Sequence, residues 1–150
     1  MSDINSSQNG HTNFEPSPEE QEWTRKGYAA TQEEDYGAAA ESFQHAVTLN
    51  PNSARSRYNL ALAQQLLGDT ENAIAGYRRA IDLDPQLIDA YNNLGNLYGE
   101  LGMHEESLET FQQALEFDPD NDELYCNVGK AYGQQYLYAD AIQAYRQALI

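Results

Sequence analysis

Proline stands at positions 51, 85 and 119, at a constant interval of 34 residues. Alanine recurs at the same interval, as Ala46, Ala80, Ala114 and Ala148. A third register is aromatic throughout: Phe43, Tyr77, Phe111 and Tyr145. A chain that repeats in this way does not fold around one central core. Each segment must offer the same face to its neighbours, and stacking of neighbours supplies the apolar interior.

The repeat unit reads as a helical pair. A residue before proline is pushed out of the α region. Asn50, Asp84 and Asp118 therefore close a helix each. The spacing predicts eight helices in four pairs: 18–33 with 36–49, 54–67 with 70–83, 88–101 with 104–117, and 122–135 with 138–150. Gly68 and Gly102 fall where a tight turn inside a pair is needed, while Glu34 and Tyr136 hold that place in the first and fourth pairs. Ser17-Pro18-Glu19-Glu20 reads as a helix start, with serine as N-cap, proline next and Glu20 completing a capping box. Residues 1–16 are polar, with only Ile4 and Phe14 to bury, and are expected to be a disordered tail.

Registers also assign the buried faces. Leu60, Leu94 and Val128 share one row of the first helices, with Ala61, Gly95 and Gly129 beside them and Gly27 opening that second row. Ala39, Ala73, Ser107 and Ala141 form a small row on the second helices. Small residues there let two backbones approach, and the aromatic row fills the space between one pair and the next. Trp23, Tyr91 and Tyr125 share a further register, broken by Arg57, which can pack only by its aliphatic stem.

These residues resemble the tetratricopeptide repeat, a helix-turn-helix of 34 residues with the pattern W-x2-L-G-x2-Y…A-x3-F…P. The third copy carries Tyr91, Leu94, Gly95, Tyr98, Ser107, Phe111, Ala114 and Pro119. The first copy departs from the pattern at Lys26, where leucine is expected. The resemblance covers about residues 20–150 and implies an all-α, right-handed α-solenoid with repeats of about 20–53, 54–87, 88–121 and 122–150. It also implies an adaptor whose concave groove, lined by the first helices, holds a peptide or a partner helix.

Asn59, Asn93 and Asn127 recur at the repeat interval on that concave side, with Arg25 in the same place in the first copy. Asn92 and Asn96 add to the third copy. A carboxamide offers an acceptor and two donors, so such a ladder can pair with the backbone of an extended peptide. A similar asparagine ladder occurs in the repeats of the glycosyltransferase that adds single N-acetylglucosamine residues to nucleocytoplasmic proteins. The plainer alternative is that these asparagines satisfy helix ends or neighbouring loops. Tyr28, Tyr58 and Leu62 give apolar contact, and Arg55 and Lys130 are the other nearby bases. Some family members grip a C-terminal carboxylate with lysine, arginine and asparagine. Here Thr24, Tyr28 and Asn93 stand at clamp positions, so that clamp is mostly absent. The candidate groove residues are thus Tyr28, Tyr58, Asn59, Leu62, Asn92, Asn93, Asn96, Asn127 and Lys130.

Charge and composition exclude other classes. With 24 acids against 8 bases and a formal net charge of −16, the chain lacks the basic stripe of a nucleic-acid binder and is ill suited to an anionic membrane surface. No window approaches the roughly 18 apolar residues of a spanning helix. One cysteine, Cys126, rules out an intrachain disulfide, and the start has no signal peptide, so a cytoplasmic location is expected. His11, His45 and His104 show no metal spacing. The run Asp118-Pro-Asp-Asn-Asp-Glu123 imitates a calcium loop but lacks its glycine and closing glutamate. No catalytic, cofactor-binding or metal-binding residue is expected, and the chain is read as a non-enzymatic interaction module. The fourth copy ends at Ile150 with Tyr145, Ala148 and Leu149 on an uncovered side. A fragment of a longer array, or a homo-oligomer through this end, is the expectation. Two alternatives are the non-catalytic repeat region of a larger enzyme such as a glycosyltransferase, and a self-assembling scaffold.

Overall fold

A computed structural model describes residues 15–150. The expectation for the polar tail falls mostly on residues 1–14, outside the described residues. The described residues form eight α-helices and no strand: α1 (Pro18–Gln32), α2 (Tyr36–Leu49), α3 (Ala54–Leu66), α4 (Thr70–Leu83), α5 (Ile88–Glu100), α6 (His104–Phe117), α7 (Asp122–Gln134) and α8 (Tyr138–Gln147). Each helix packs on its neighbour in sequence, and α5 also touches α7. The first helix of each pair thus lies beside the first helix of the next, as a solenoid requires.

Local chemistry sets the helix ends. Ser17, Asp35, Ser53, Asp69 and Asn121 cap five helices by accepting the backbone N–H three residues on. Asn50, Asp84 and Asp118, each before a proline, leave the helical region with φ near −135 to −139°. Inside the pairs, Glu34, Gly68, Gly102 and Tyr136 all take positive φ, of 60, 81, 75 and 62°. The next residue then donates back to the helix just ended: Asp35 to Ala30, Asp69 to Gln64, Met103 to Tyr98 and Leu137 to Tyr132. This is one C-cap motif used four times. It holds even where the left-handed residue carries a side chain.

Helix approach within a pair rests on small residues. A Cβ at Gly27 would come within 2.5 Å of the Phe43 ring, at Gly95 within 2.6 Å of Phe111, and at Gly129 within 2.7 Å of Tyr145. The second pair solves the same problem from the other side. Ala61 replaces the glycine there, and the facing residue on α4 is Gly76, whose added Cβ would lie 2.7 Å from that of Ala61. The alanine row then closes the helices onto one another, with Ala46, Ala80 and Ala114 fully buried.

The interior is a chain of clusters rather than one core. Tyr77 packs with Ala61, Ala73, Leu94, Leu97 and Tyr98, and Phe111 packs with Tyr91, Leu124, Val128 and Ala144. Arg57 behaves as its chemistry demands: its Nε donates to Pro51 O at 2.9 Å while the stem is half-buried. One expectation is corrected. Ser17 caps α1 through the N–H of Glu20, but the Glu20 carboxylate does not close the capping box. It is buried instead between Asn50 Nδ2, at 3.1 Å, and the Ser56 hydroxyl, at 3.2 Å, tying α1 to the start of α3. Two donors that need an acceptor outcompete one exposed helix end.

Gly95→Ala is expected to destabilise the fold by about 1–3 kcal/mol through overpacking against Phe111, read as a fall in the urea midpoint. Glu34→Gly removes a left-handed non-glycine residue and is expected to raise stability by up to about 1 kcal/mol in the same assay.

Candidate peptide-binding groove

Three hydrogen bonds run along the first-helix face, and each crosses a repeat boundary. Asn59 Nδ2 donates to the Tyr28 hydroxyl at 2.9 Å, Asn93 Nδ2 to the Tyr58 hydroxyl at 3.0 Å, and Asn127 Nδ2 to Asn92 Oδ1 at 3.1 Å. Tyr58 and Asn92 occupy the same repeat register, so the last two contacts are one contact used twice. In the first pair that register holds Thr24, and Asn59 reaches Tyr28 one turn further on instead. Each ladder asparagine thus uses one of its two donors on a neighbour, leaving the second donor and the Oδ1 acceptor for other partners. Asn59 and Asn92 are buried, and Asn93 and Asn127 are half-buried.

The other expected residues divide between two ends. Asn96 and Lys130 line a narrow crevice between α5 and α7 with Gly95, Gly99 and Gln134. Leu62 and Tyr28 line another with Thr31, Phe43 and Leu66. At the amino-terminal end the groove widens into a cavity of about 420 Å³. Its walls include Thr24, Arg25, Tyr28, Arg55 and the buried Glu20. Arg55 pairs with Asp89 of the next repeat at 3.0 Å and lies over the Tyr58 ring, 5.7 Å from its centroid.

Sequence reasoning missed Glu20 and the Arg55–Asp89 pair. Nothing periodic marks Glu20, whose equivalents are Ala54, Ile88 and Asp122. Arg55 and Asp89 did carry a signal, since opposite charges one repeat apart share a register.

Burial sets the protonation of the aromatic hydroxyls. It raises the pKa of Tyr58, with the nearby Asp89 carboxylate adding to the effect. Burial also raises Tyr77, whose hydroxyl lies 2.6 Å from Gln65 Oε1, and Tyr91. Tyr58 therefore stays a neutral hydroxyl that accepts from Asn93 and keeps its own proton to donate.

An array of helical pairs with a polar, hydrogen-bonded first-helix face defines a class: a repeat scaffold for protein interaction. Family comparison places the chain within it. A TPR repeat profile matches residues 27–68 and 66–102, and two tetratricopeptide repeat profiles match residues 88–121 and 110–143. The chain belongs to the tetratricopeptide-repeat family. The crystal structure of MamA is similar, at 27% identity and a TM-score of 0.80, over 87% of this chain and 76% of that one. A tetratricopeptide repeat protein from Parabacteroides merdae ATCC 43184 is similar at 26% identity and a TM-score of 0.79. The match covers 87% of this chain and 52% of that protein, about half its length. MamA from Desulfovibrio magneticus RS-1 matches at a TM-score of 0.79 over 90% of this chain and 76% of that one, but at 16% identity it shows the fold alone. No curated protein matches at a significant level. Among the described residues, no helix is long and apolar enough to cross a membrane.

The tyrosine shifts predict alkaline sensitivity. Above pH about 10 the unfolded chain releases phenolic protons that the folded chain retains, so stability is full below that pH and falls as pH rises through it. Urea unfolding between pH 8 and 11 should show this loss. Tyr77→Phe should reduce the alkaline loss, while lowering stability near pH 8 by about 1 kcal/mol because Gln65 loses its donor.

Proposed function

We propose that the first-helix groove holds an extended segment of a protein partner, read through its backbone by Asn59, Asn93 and Asn127. The observation that carries this reading is the ladder of side-chain hydrogen bonds across three repeat boundaries. The bonds hold each carboxamide in one orientation before a ligand arrives, and that lowers the ordering entropy of binding. Tyr28 and Tyr58 supply aromatic contact beside the amides, and Asn92, Asn96, Leu62 and Lys130 extend the lining. Such a module binds rather than catalyses, alone or as the repeat region of a larger protein.

A second reading rests on the outer face of the fourth repeat. Phe43, Tyr77 and Phe111 are at most 2% exposed, whereas Tyr145 in the same register is 43% exposed, Ile142 54% and Leu149 86%. This apolar stripe favours self-assembly through α8. A concentration-independent monomer mass in sedimentation would remove that reading and leave the groove untouched.

For the groove, peptides selected on the wild-type protein from a display library are the test. Asn93→Ala combined with Asn127→Ala is expected to weaken them about tenfold or more, through loss of two hydrogen-bonding amides, with unchanged helicity by circular dichroism. Unchanged affinity would end the ladder reading.

A further inference from the structure

The cavity of about 420 Å³ at the amino-terminal end of the groove is walled by Pro16, Thr24, Arg25, Tyr28 and Arg55, and most of the wall open to solvent is carbon. Its aromatic side is fixed from two directions. The Tyr28 hydroxyl accepts from Asn59 at 2.9 Å, and the ring stands edge-on to Phe43 with 5.5 Å between centroids. Among the described residues the one carboxylate in the wall is that of Glu20, which already accepts from Asn50 and Ser56. Arg25 and Arg55 are both exposed and are two of the eight bases in the chain. This end is thus an apolar hollow with a basic edge on an otherwise acidic molecule.

Pro16 makes that wall a place through which the chain itself passes. Ser17, between Pro16 and Pro18, has φ −60° and ψ 154°, the stiff polyproline-II geometry. Gln21 Nε2 donates to the Pro16 carbonyl at 2.8 Å. The segment entering α1 is therefore pinned at the edge of the cavity. Phe14 stands two residues before Pro16, at most about 7 Å of chain, and lies just outside the described residues. The other large apolar side chains of residues 1–15, Met1 and Ile4, are ten or more residues farther along. We propose that Phe14 docks in this cavity in cis, with its ring against Tyr28, and so covers the amino-terminal end of the groove. The short tether makes the contact intramolecular, so one aromatic anchor suffices where a free peptide would need more. Charge agrees with this occupant: residues 1–15 hold Asp3 and Glu15 and no lysine or arginine, opposite the guanidinium groups of Arg25 and Arg55.

Solution NMR of the whole chain is the test. Nuclear Overhauser contacts from the Phe14 ring to Thr24 or Tyr28 are expected, unchanged on dilution. Phe14→Ala should move the amide signals of Thr24, Tyr28 and Ser56, and Ile4→Ala should move none of them. Absence of ring contacts to the cavity, or Phe14→Ala shifts confined to residues 12–16, would overturn the proposal. Contacts that fade on dilution would assign the cavity to the tail of a second copy and overturn it as well. The consequence for partners rests on the groove reading. Peptides that Asn93→Ala with Asn127→Ala weakens should bind Phe14→Ala about three- to tenfold more tightly, as expected when docking leaves roughly a third to a tenth of the molecules competent. Unchanged affinity with the ring contacts intact would overturn the competition and leave the docking. Failure of the ladder is read separately, from the Asn93 and Asn127 variants in the third and fourth repeats.

Discussion

The close approach of two helices within each pair sets everything else in the array. That approach is possible because Gly27, Gly95 and Gly129 leave room for the rings of Phe43, Phe111 and Tyr145. The ring fills the space a side chain would take, and its outer edge becomes the surface on which the next pair rests. One contact therefore fixes both the geometry inside a pair and the stride between pairs. The second pair shows that the requirement is steric rather than tied to one residue. Ala61 is tolerated because Gly76 faces it, so the total volume at the crossing stays small.

A constant stride makes a groove out of side chains that are far apart in sequence. Residues of the first helices meet their counterparts about 34 positions away, as Asn93 meets Tyr58 and Asn127 meets Asn92. The same stride brings Arg55 to Asp89. These contacts hold the lining in place, so the groove presents fixed polar groups. The two ends of the array differ. At the amino-terminal end Lys26 interrupts the leucine row, pairs with Glu22 at 3.0 Å and stacks on Trp23, which in turn stacks on His45. The fourth repeat instead presents Ile142, Tyr145 and Leu149 to solvent.

Much of this was legible in the chain itself. Helix ends followed from Pro51, Pro85 and Pro119 because proline constrains the residue before it wherever it occurs. Repeat registers identified the aromatic and alanine rows because a solenoid gives equal positions equal surroundings. The repeat register shared by Asn59, Asn93 and Asn127 was legible for the same reason. Apart from the Arg55–Asp89 pair, which keeps the period, what escaped were features that break it. Glu20 read as a local cap because its partners, Asn50 and Ser56, lie a repeat away and have no counterparts in later copies. Gly76 went unnoticed because its meaning depends on Ala61 across the helix crossing.

By itself the sequence determined the helical pairs, their order and the face that each buries. Those properties depend on nearest-neighbour chemistry and on a period that can be counted. Only the tertiary structure decided which donor meets which acceptor. Asn59 bonds Tyr28 rather than the residue in Thr24's register, Glu20 leaves its own helix end for α3, and the Tyr98 hydroxyl has no partner among the described residues. A hydrogen bond requires placement to a few tenths of an ångström, and that placement comes from the packing of whole helices.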